Sequence, residues 1–326
     1  MKWKWVIFGL VGTAAFLIGF NLLNRRDVEA DVFPLERQFE IIYTAKITDI
    51  PKDAKNVRVW IPLASTRDGQ KILERKIETS GSYQITRDTL FGNEILYFES
   101  NGTTPAEINF NINYTVRVSK NEFAPTNSSE EGALYLKPTR FMKVDEEVKK
   151  RLHEATKENQ SLPEKARNIY DYVIQYMVYD KQTPGWGNGD TLRACLMGKG
   201  NCTDFHSLFI SMAQATEIPA RFKIGFTIPK EAEGVLPGYH CWAEFYEQEN
   251  GWRPIDASDA WKHPERKEAY FGNFDTNKFL ISVGRDVELV PPQSGDPLNI
   301  FFYPYVEVDQ KTFNGVKTSF HFKNKT

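Results

Sequence analysis

Cys202, His240 and Asp256 are the residues whose types and order in this sequence could carry out nucleophilic chemistry. Cys202 follows Asn201 at the start of a predicted apolar helix, where unpaired backbone N–H groups carry a partial positive charge. That field stabilises a thiolate and lowers the pKa of a thiol from about 8.5. A cysteine in this position is a candidate nucleophile, and it needs a base and a group that orients the base.

His240 and Asp256 are predicted to supply the base and its orienting acid. The residues Gln248-Glu-Asn-Gly between them are typical of a turn, so we expect an antiparallel hairpin centred near Gln248. In that register His240 and Asp256 face each other directly, with Cβ atoms about 4.5–5.5 Å apart. A carboxylate at this distance accepts the imidazole N–H, fixes its tautomer and stabilises the imidazolium.

Four motifs, three of which contain these residues, resemble in sequence and in order the transglutaminase-like superfamily, a papain-like group of thiol proteins. They are Gly200-Asn-Cys-Thr-Asp-Phe-His-Ser-Leu-Phe, Ile218-Pro-Ala-Arg-Phe, His240-Cys-Trp-Ala-Glu-Phe-Tyr and Gly251-Trp-Arg-Pro-Ile-Asp-Ala. The resemblance implies a papain-like α+β core in which Cys202 is the nucleophile, His240 the base and Asp256 the acid.

The oxyanion hole is predicted less directly. The backbone N–H of Cys202 is a natural donor to a developing oxyanion. The resemblance implies a second, side-chain donor upstream of the cysteine, and Trp186 is the candidate for it. Packing beneath its loop is the alternative role for Trp186.

Other polar residues near the motifs have simpler interpretations. We expect Asp204 to cap the helix start, because an acid there suits the helix dipole. His206 is expected to be a packed, hydrogen-bonded core histidine, and Glu244 to be solvated or salt-bridged. Asp259 is the alternative acid if the hairpin register slips.

Cys195 and Cys241 are predicted to be structural, and a disulfide between them is an open alternative. A zinc site built from Cys202, His206, His240 and Cys241 is disfavoured. Adjacent strand residues such as His240 and Cys241 point to opposite faces, and no paired Cys-x-x-Cys motif occurs. The resemblance implies papain-like catalysis, which needs no metal and no organic cofactor.

The elements that position these residues are predicted to form an α+β protein. Residues 31–125 contain short alternating strands separated by turns, a pattern typical of a β-sandwich. Residues 126–290 are predicted to be the transglutaminase-like catalytic domain, and residues 291–326 a C-terminal β tail packed on that domain. The catalytic domain is predicted to have helices beginning near Asp145, Pro163, Leu192 and Cys202, and strands at 221–228, 239–246 and 252–256.

Residues 1–30 are predicted to be a signal peptide or a membrane anchor. A basic start, Met1-Lys-Trp-Lys, precedes an almost wholly apolar run at residues 5–23. The run is long enough to span a bilayer as a helix. We expect an uncleaved anchor with the body facing the periplasm or the extracellular side. Cleavage near Ala30, which would release a secreted protein, is the alternative.

Composition and charge limit the classes of partner. The chain has 326 residues and a net charge of −2, without a dense stripe of Lys and Arg, so nucleic acid is not an expected partner. The predicted function is acyl transfer or amide hydrolysis through a thioester, on a peptide or protein such as a cell-wall peptide. The alternative is an exported binding or assembly module that keeps the fold without catalysis.

Overall fold

The structure, a computed structural model, describes residues 32–102, 105–123 and 129–325. The predicted signal peptide or anchor at residues 1–30 lies outside the described residues. Within them, no helix is long and apolar enough to cross a membrane. Residues Leu35–Thr326 form one compact unit, which contains all the elements discussed below.

The described residues form a mixture of strands and helices, as predicted. The strands are β1 (Glu36–Ile47), β2 (Asn56–Leu63), β3 (Gln70–Thr79), β4 (Tyr83–Arg87), β5 (Glu94–Asn101), β6 (Ile108–Ser119), β7 (Val178–Tyr179), β8 (Lys199–Gly200), β9 (Ala220–Thr227), β10 (Glu233–Val235), β11 (His240–Glu247), β12 (Gly251–Ile255), β13 (Lys278–Val283), β14 (Tyr305–Val308), β15 (Lys311–Thr312) and β16 (Val316–Asn324). The α-helices are α1 (Ser129–Leu134), α2 (Glu146–Ala155), α3 (Leu162–Tyr176), α4 (Thr191–Met197), α5 (Cys202–Ala215) and α6 (Ala257–Lys262).

Two five-stranded antiparallel sheets contain the strands of the N-terminal part. Their strand orders are β10-β16-β1-β6-β3 and β15-β14-β2-β5-β4. Phe98 of β5 and Phe110 of β6 meet edge to face, with ring centroids 5.5 Å apart, so the two sheets share apolar contacts. Along β6 buried residues alternate with more exposed ones, as in a strand with one face in a core.

The C-terminal segment extends these two sheets, and the prediction for residues 291–326 needs correction on this point. The segment does touch the predicted catalytic domain, because Phe302 and Phe320 both contact Phe226 of β9. Its strands, however, pair elsewhere: β16 with β1, and β14 with β2. Without them β1 and β2 would be edge strands with unpaired backbone groups, and covering such edges prevents aggregation.

A third antiparallel sheet, in the order β12-β11-β9-β13, lies in the core with the helices around α5. All residues of α5 except Ala215 are buried, because strands β9 and β11 and helices α2, α3, α4 and α6 surround it. A helix buried on every side is held by packing along its whole length. Its first residue, Cys202, is therefore firmly placed relative to the third sheet.

The helices predicted to begin near Asp145 and Leu192 are confirmed as α2 and α4, and both carry the usual signals at a helix end. Asp145 caps α2 by accepting a hydrogen bond from the N–H of Val148 at 3.0 Å. Gly198 ends α4 in the left-handed conformation, with φ of 58°, which glycine adopts without a steric penalty. Among the longer strands, β3 and β13 were not predicted from the sequence.

Gly225 allows the close approach of β13 to the centre of the third sheet. It lies on β9 opposite His240 of β11 on one side and Leu280 of β13 on the other. A Cβ atom at this position would lie 1.8 Å from the carbonyl oxygen of Phe279. Any larger residue would therefore push β13 away from β9.

We expect Gly225→Ala to lower the free energy of unfolding by about 1–3 kcal/mol or more, the usual cost of overpacking a core. Urea denaturation of the purified protein measures the change. Gly238→Ala is the matched control, because a Cβ atom there meets nothing within 4 Å, and we expect a change within about 0.5 kcal/mol. Equal stability of the two variants would contradict the close approach described here.

Candidate active site

Cys202 lies at the first position of α5 and is only 2% exposed. Asn201 is the N-cap, and its side-chain oxygen accepts a hydrogen bond from the N–H of Thr203 at 2.9 Å. Asp204 reciprocates by accepting from the N–H of Asn201 at 2.9 Å, which completes a capping box. The predicted capping role of Asp204 is thus confirmed, and the sulfur lies in the positive field of the helix start.

Asp204 also holds the loop that precedes the helix. Its two carboxylate oxygens accept from the N–H of Gly187 at 2.7 Å and of Gly189 at 3.1 Å. Trp186 is the neighbour of Gly187, and its side chain is 38% exposed. The oxyanion candidate therefore belongs to a loop that is bonded to the first turn of the cysteine helix.

His240 and Asp256 are in direct contact, with His240 Nε2 2.5 Å from Asp256 Oδ2. The predicted register is nevertheless wrong by two residues, because Ala243 pairs with Ile255. Asp256 leaves the end of β12 and becomes the N-cap of α6, where it accepts from the N–H of Asp259 at 2.9 Å. A diagonal position is still within reach of an imidazole side chain.

The electrostatics of the three residues favour a charge-separated pair. The Cys241 thiol and the His240 imidazole both act to lower the pKa of Cys202 well below its ordinary value, against the opposing effect of burial. Burial lowers the pKa of His240, but the carboxylates of Asp256 and Asp259 outweigh it and raise the pKa to about 9. Because Nε2 is bonded to Asp256, Nδ1 is the ring nitrogen left for the sulfur.

His206 is a buried histidine with both ring nitrogens occupied, as expected for a core residue. Nδ1 lies 2.7 Å from the carbonyl oxygen of Cys202, and Nε2 accepts from the N–H of Ala257 at 3.0 Å. Burial lowers the pKa of His206, which suits this neutral form. It joins the cysteine helix to the first residue after Asp256, and it has no free nitrogen for the alternative zinc site.

The remaining cysteines are unpaired thiols, like Cys202. Cys241 faces α5, with its sulfur 3.4 Å from the hydroxyl of Thr203. Burial raises the pKa of Cys241 well above its ordinary value and that of Cys195 to about 12. The sequence did not predict that Cys241 would contact the first turn of α5, although its position next to His240 is a signal for proximity.

The acidic residues near the site have different partners. Glu244 is buried and bonds to Arg221 at 2.6 Å and to Lys223, so the salt-bridged interpretation is confirmed. Asp259, the alternative acid, lies 3.5 Å from His240 Nε2 and is thus farther than Asp256.

A cation already occupies the space between the carboxylates. His240, Asp256 and Asp259 have ligand atoms within 4.8 Å of one another, a grouping that could hold a metal ion. The ammonium of Lys278 lies among them, 2.7 Å from Asp256 Oδ2 and 3.2 Å from Asp259 Oδ2. Lys278 was not identified from the sequence. The available signal was a charged residue at the start of the apolar run Lys278-Phe-Leu-Ile-Ser-Val.

Comparison with known proteins agrees with this geometry. Residues 148–257 match the family model of the transglutaminase-like superfamily, and this range contains Cys202, His240 and Asp256. An uncharacterized protein of Haemophilus influenzae is 27% identical over 314 residues, which cover 81% of this chain and 84% of that protein.

One solved structure shows a similar fold. A candidate cysteine protease from Cytophaga hutchinsonii aligns with a TM-score of 0.57 at 15% identity, covering 89% of this chain and 98% of that one. The periplasmic domain of TgpA from Pseudomonas aeruginosa aligns with a TM-score of 0.37 at 14% identity, covering 72% and 91% of the two chains, which is too low to support an argument. Residues 148–257 are thus similar to the core domain of the transglutaminase-like superfamily.

We expect Asp204→Asn to loosen the loop that contains Trp186. A hydrogen bond to a charged acceptor is worth about 1.5–3 kcal/mol, so amide hydrogens of Gly187 and Gly189 should exchange about tenfold faster or more. Hydrogen–deuterium exchange resolved by NMR measures this. Asp190→Asn is the control, since Asp190 caps α4 and accepts from Arg193 instead. Unchanged protection at both glycines would contradict the role of Asp204.

Proposed function

We propose that this protein is a cysteine hydrolase or acyltransferase that forms a thioester on Cys202. The observation that carries the proposal is the 2.5 Å contact between His240 and Asp256, beside a buried thiol at the start of a helix. The match to the transglutaminase-like superfamily and the fold shared with a candidate cysteine protease support it. Each residue then has a defined chemical role.

In the first half-reaction the Cys202 thiolate attacks the carbonyl carbon of an amide. The backbone N–H of Cys202 stabilises the oxyanion, with Trp186 as the proposed second donor. The His240 imidazolium gives its proton to the leaving amine as the carbon–nitrogen bond breaks, which leaves an acyl group on sulfur. Asp256 remains ionised throughout and holds His240 in one orientation.

In the second half-reaction a nucleophile resolves the thioester. His240, now neutral, takes a proton from the attacking water or amine, and the thiolate leaves. Water gives net hydrolysis, and an amine gives a new amide, as in a transglutaminase. We favour hydrolysis, because water is always present at the site.

The proposed substrate is a peptide or protein outside the cytoplasm, such as a cell-wall peptide. This part of the proposal rests on the basic and apolar N-terminal sequence, which is typical of an export signal or a membrane anchor. The anchor would hold the body at the membrane, facing the periplasm or the extracellular side. In this proposal the two N-terminal sheets form a β-sandwich that supports the core.

One observation favours the alternative of a binding or assembly module without catalysis. Cys202 is 2% and His240 8% exposed, so a substrate reaches the sulfur only if neighbouring groups move. Closed active sites that open for substrate are also common in enzymes. Chemical reactivity of the thiol distinguishes the two functions.

We expect iodoacetamide to alkylate Cys202 below pH 7, faster than Cys195 and Cys241. Because the pKa of Cys202 is lowered, its thiolate persists as the pH falls and is lost only below that lowered pKa. The pKa values of Cys195 and Cys241 are raised, so these two thiols stay protonated and unreactive over the same range. Mass spectrometry of tryptic peptides measures the rate at each cysteine between pH 5 and 9.

His240→Ala should remove the excess reactivity of Cys202 and move its alkylation to higher pH. His321→Ala is the matched control, because His321 is exposed on β16 away from the core cysteines. Equal rates at all three cysteines in the unaltered protein would refute activation of Cys202 and support the binding module.

An acyl group on Cys202 is the direct test of the thioester. Protein incubated with a mixture of cell-wall peptides and then quenched in acid should carry a mass increase on the Cys202 peptide, and hydroxylamine should release it. Cys202→Ala should show neither, while Cys195→Ala should behave as the unaltered protein. The mass of the acyl group identifies the substrate.

A further inference from the structure

Lys278 is a buried lysine whose ammonium contacts the active-site carboxylate. It opens β13 and is 7% exposed. Its Nζ atom lies 2.7 Å from Asp256 Oδ2, 3.2 Å from Asp259 Oδ2 and 3.1 Å from the hydroxyl of Thr227. Asp275 is a third carboxylate, 3.6 Å away. These groups surround Lys278 from α6, β9 and the segment before β13.

The ammonium and the imidazole share one oxygen atom. Asp256 Oδ2 receives both His240 Nε2 at 2.5 Å and Lys278 Nζ at 2.7 Å. The other oxygen, Oδ1, accepts from the N–H of Asp259 at 2.9 Å and from the hydroxyl of Ser258 at 3.1 Å. Four donors thus fix the plane of the Asp256 carboxylate. Lys278 is the donor that lies on β13.

The charge of Lys278 also acts on His240. Two carboxylates, Asp256 and Asp259, stabilise the imidazolium, and without a counter-charge they would make it a weaker acid. The nearby ammonium opposes this effect. A general acid works best when its pKa is close to the working pH, so this opposition favours proton transfer to a leaving amine.

We propose that Lys278 is a positioning residue of the active site, which holds the Asp256 carboxylate on His240 and keeps the imidazolium acidic enough to protonate the leaving group. The inference rests on the function proposed above. Other groups that face this cluster are the ring of Trp242, 5.9 Å from Nζ, and Asp68, Lys223 and Tyr270 across a shared cavity of about 30 Å³.

The test is an NMR titration of the His240 ring in the full chain, with Lys278→Met. A charge a few ångströms away shifts a pKa by about 1 or more. We therefore expect the pKa of His240 to rise by about 1 in Lys278→Met, because a like charge has been removed. Lys278→Arg should restore the unaltered value, since it returns the positive charge to the same strand.

Lys262→Met is the matched control for loss of one positive charge near the site. Lys262 bonds to Asp259 at 3.0 Å, but its side chain is 30% exposed and solvent screens it. We expect the pKa of His240 to be unchanged in this variant. A His240 pKa in Lys278→Met equal to that of the unaltered protein, or a failure of Lys278→Arg to restore it, would overturn the proposal.

Loss of Lys278 leaves three carboxylates close together, so the single variant is tested for folding by thermal denaturation. If it does not fold, Lys278→Met combined with Asp275→Asn removes one of those charges while Asp256 and Asp259 stay intact. The same titration is then read in the double variant, with Asp275→Asn alone as its reference. The titration needs no substrate, so its outcome is independent of whether Cys202 becomes acylated.

Discussion

The Asp256 carboxylate accepts hydrogen bonds from groups on three separate elements, and the rest of the site depends on these bonds. They come from His240 on β11, from Lys278 on β13 and from the first turn of α6. A buried carboxylate is costly unless it is paired and fully bonded. The elements that carry its donors are therefore constrained to one arrangement, and that arrangement places the imidazole beside the cysteine helix.

Two opposing electrostatic effects act at the start of α5. A thiolate at Cys202 benefits from unpaired N–H groups, but Asp204 on the same turn brings a negative charge close to it. The carboxylate of Asp204 is bonded to the backbone N–H groups of Asn201, Gly187 and Gly189, so its charge is spread over donors outside the helix. The same bonds hold the loop next to the sulfur, which links helix capping to the shape of the site.

Local sequence patterns were enough to propose candidate site residues, whereas the long-range pairing of strands could not be predicted from them. Residue types and order singled out Cys202, His240 and Asp256 as candidates. The predicted hairpin register was wrong, because composition does not fix the length of a turn. The observed turn pairs Glu247 with Gly251. Strand β13 is buried along its whole length and shows no alternation, so Lys278 had no periodic signal. The pairing of the last strands with β1 and β2 joins distant segments, for which the sequence has no local pattern.

The turn between β2 and β3 takes part in the charge balance of the third sheet, β12-β11-β9-β13. Asp68, in the turn between β2 and β3, lies 3.1 Å from Arg221 Nη2 and 2.9 Å from Lys223 Nζ. Both cations are buried, and within the third sheet Glu244 supplies one carboxylate for the two of them. Asp68 provides the second, and its pKa is lowered by these cations although burial acts to raise it. These ion pairs connect the turn between β2 and β3 to the third sheet, within the one compact unit that both belong to.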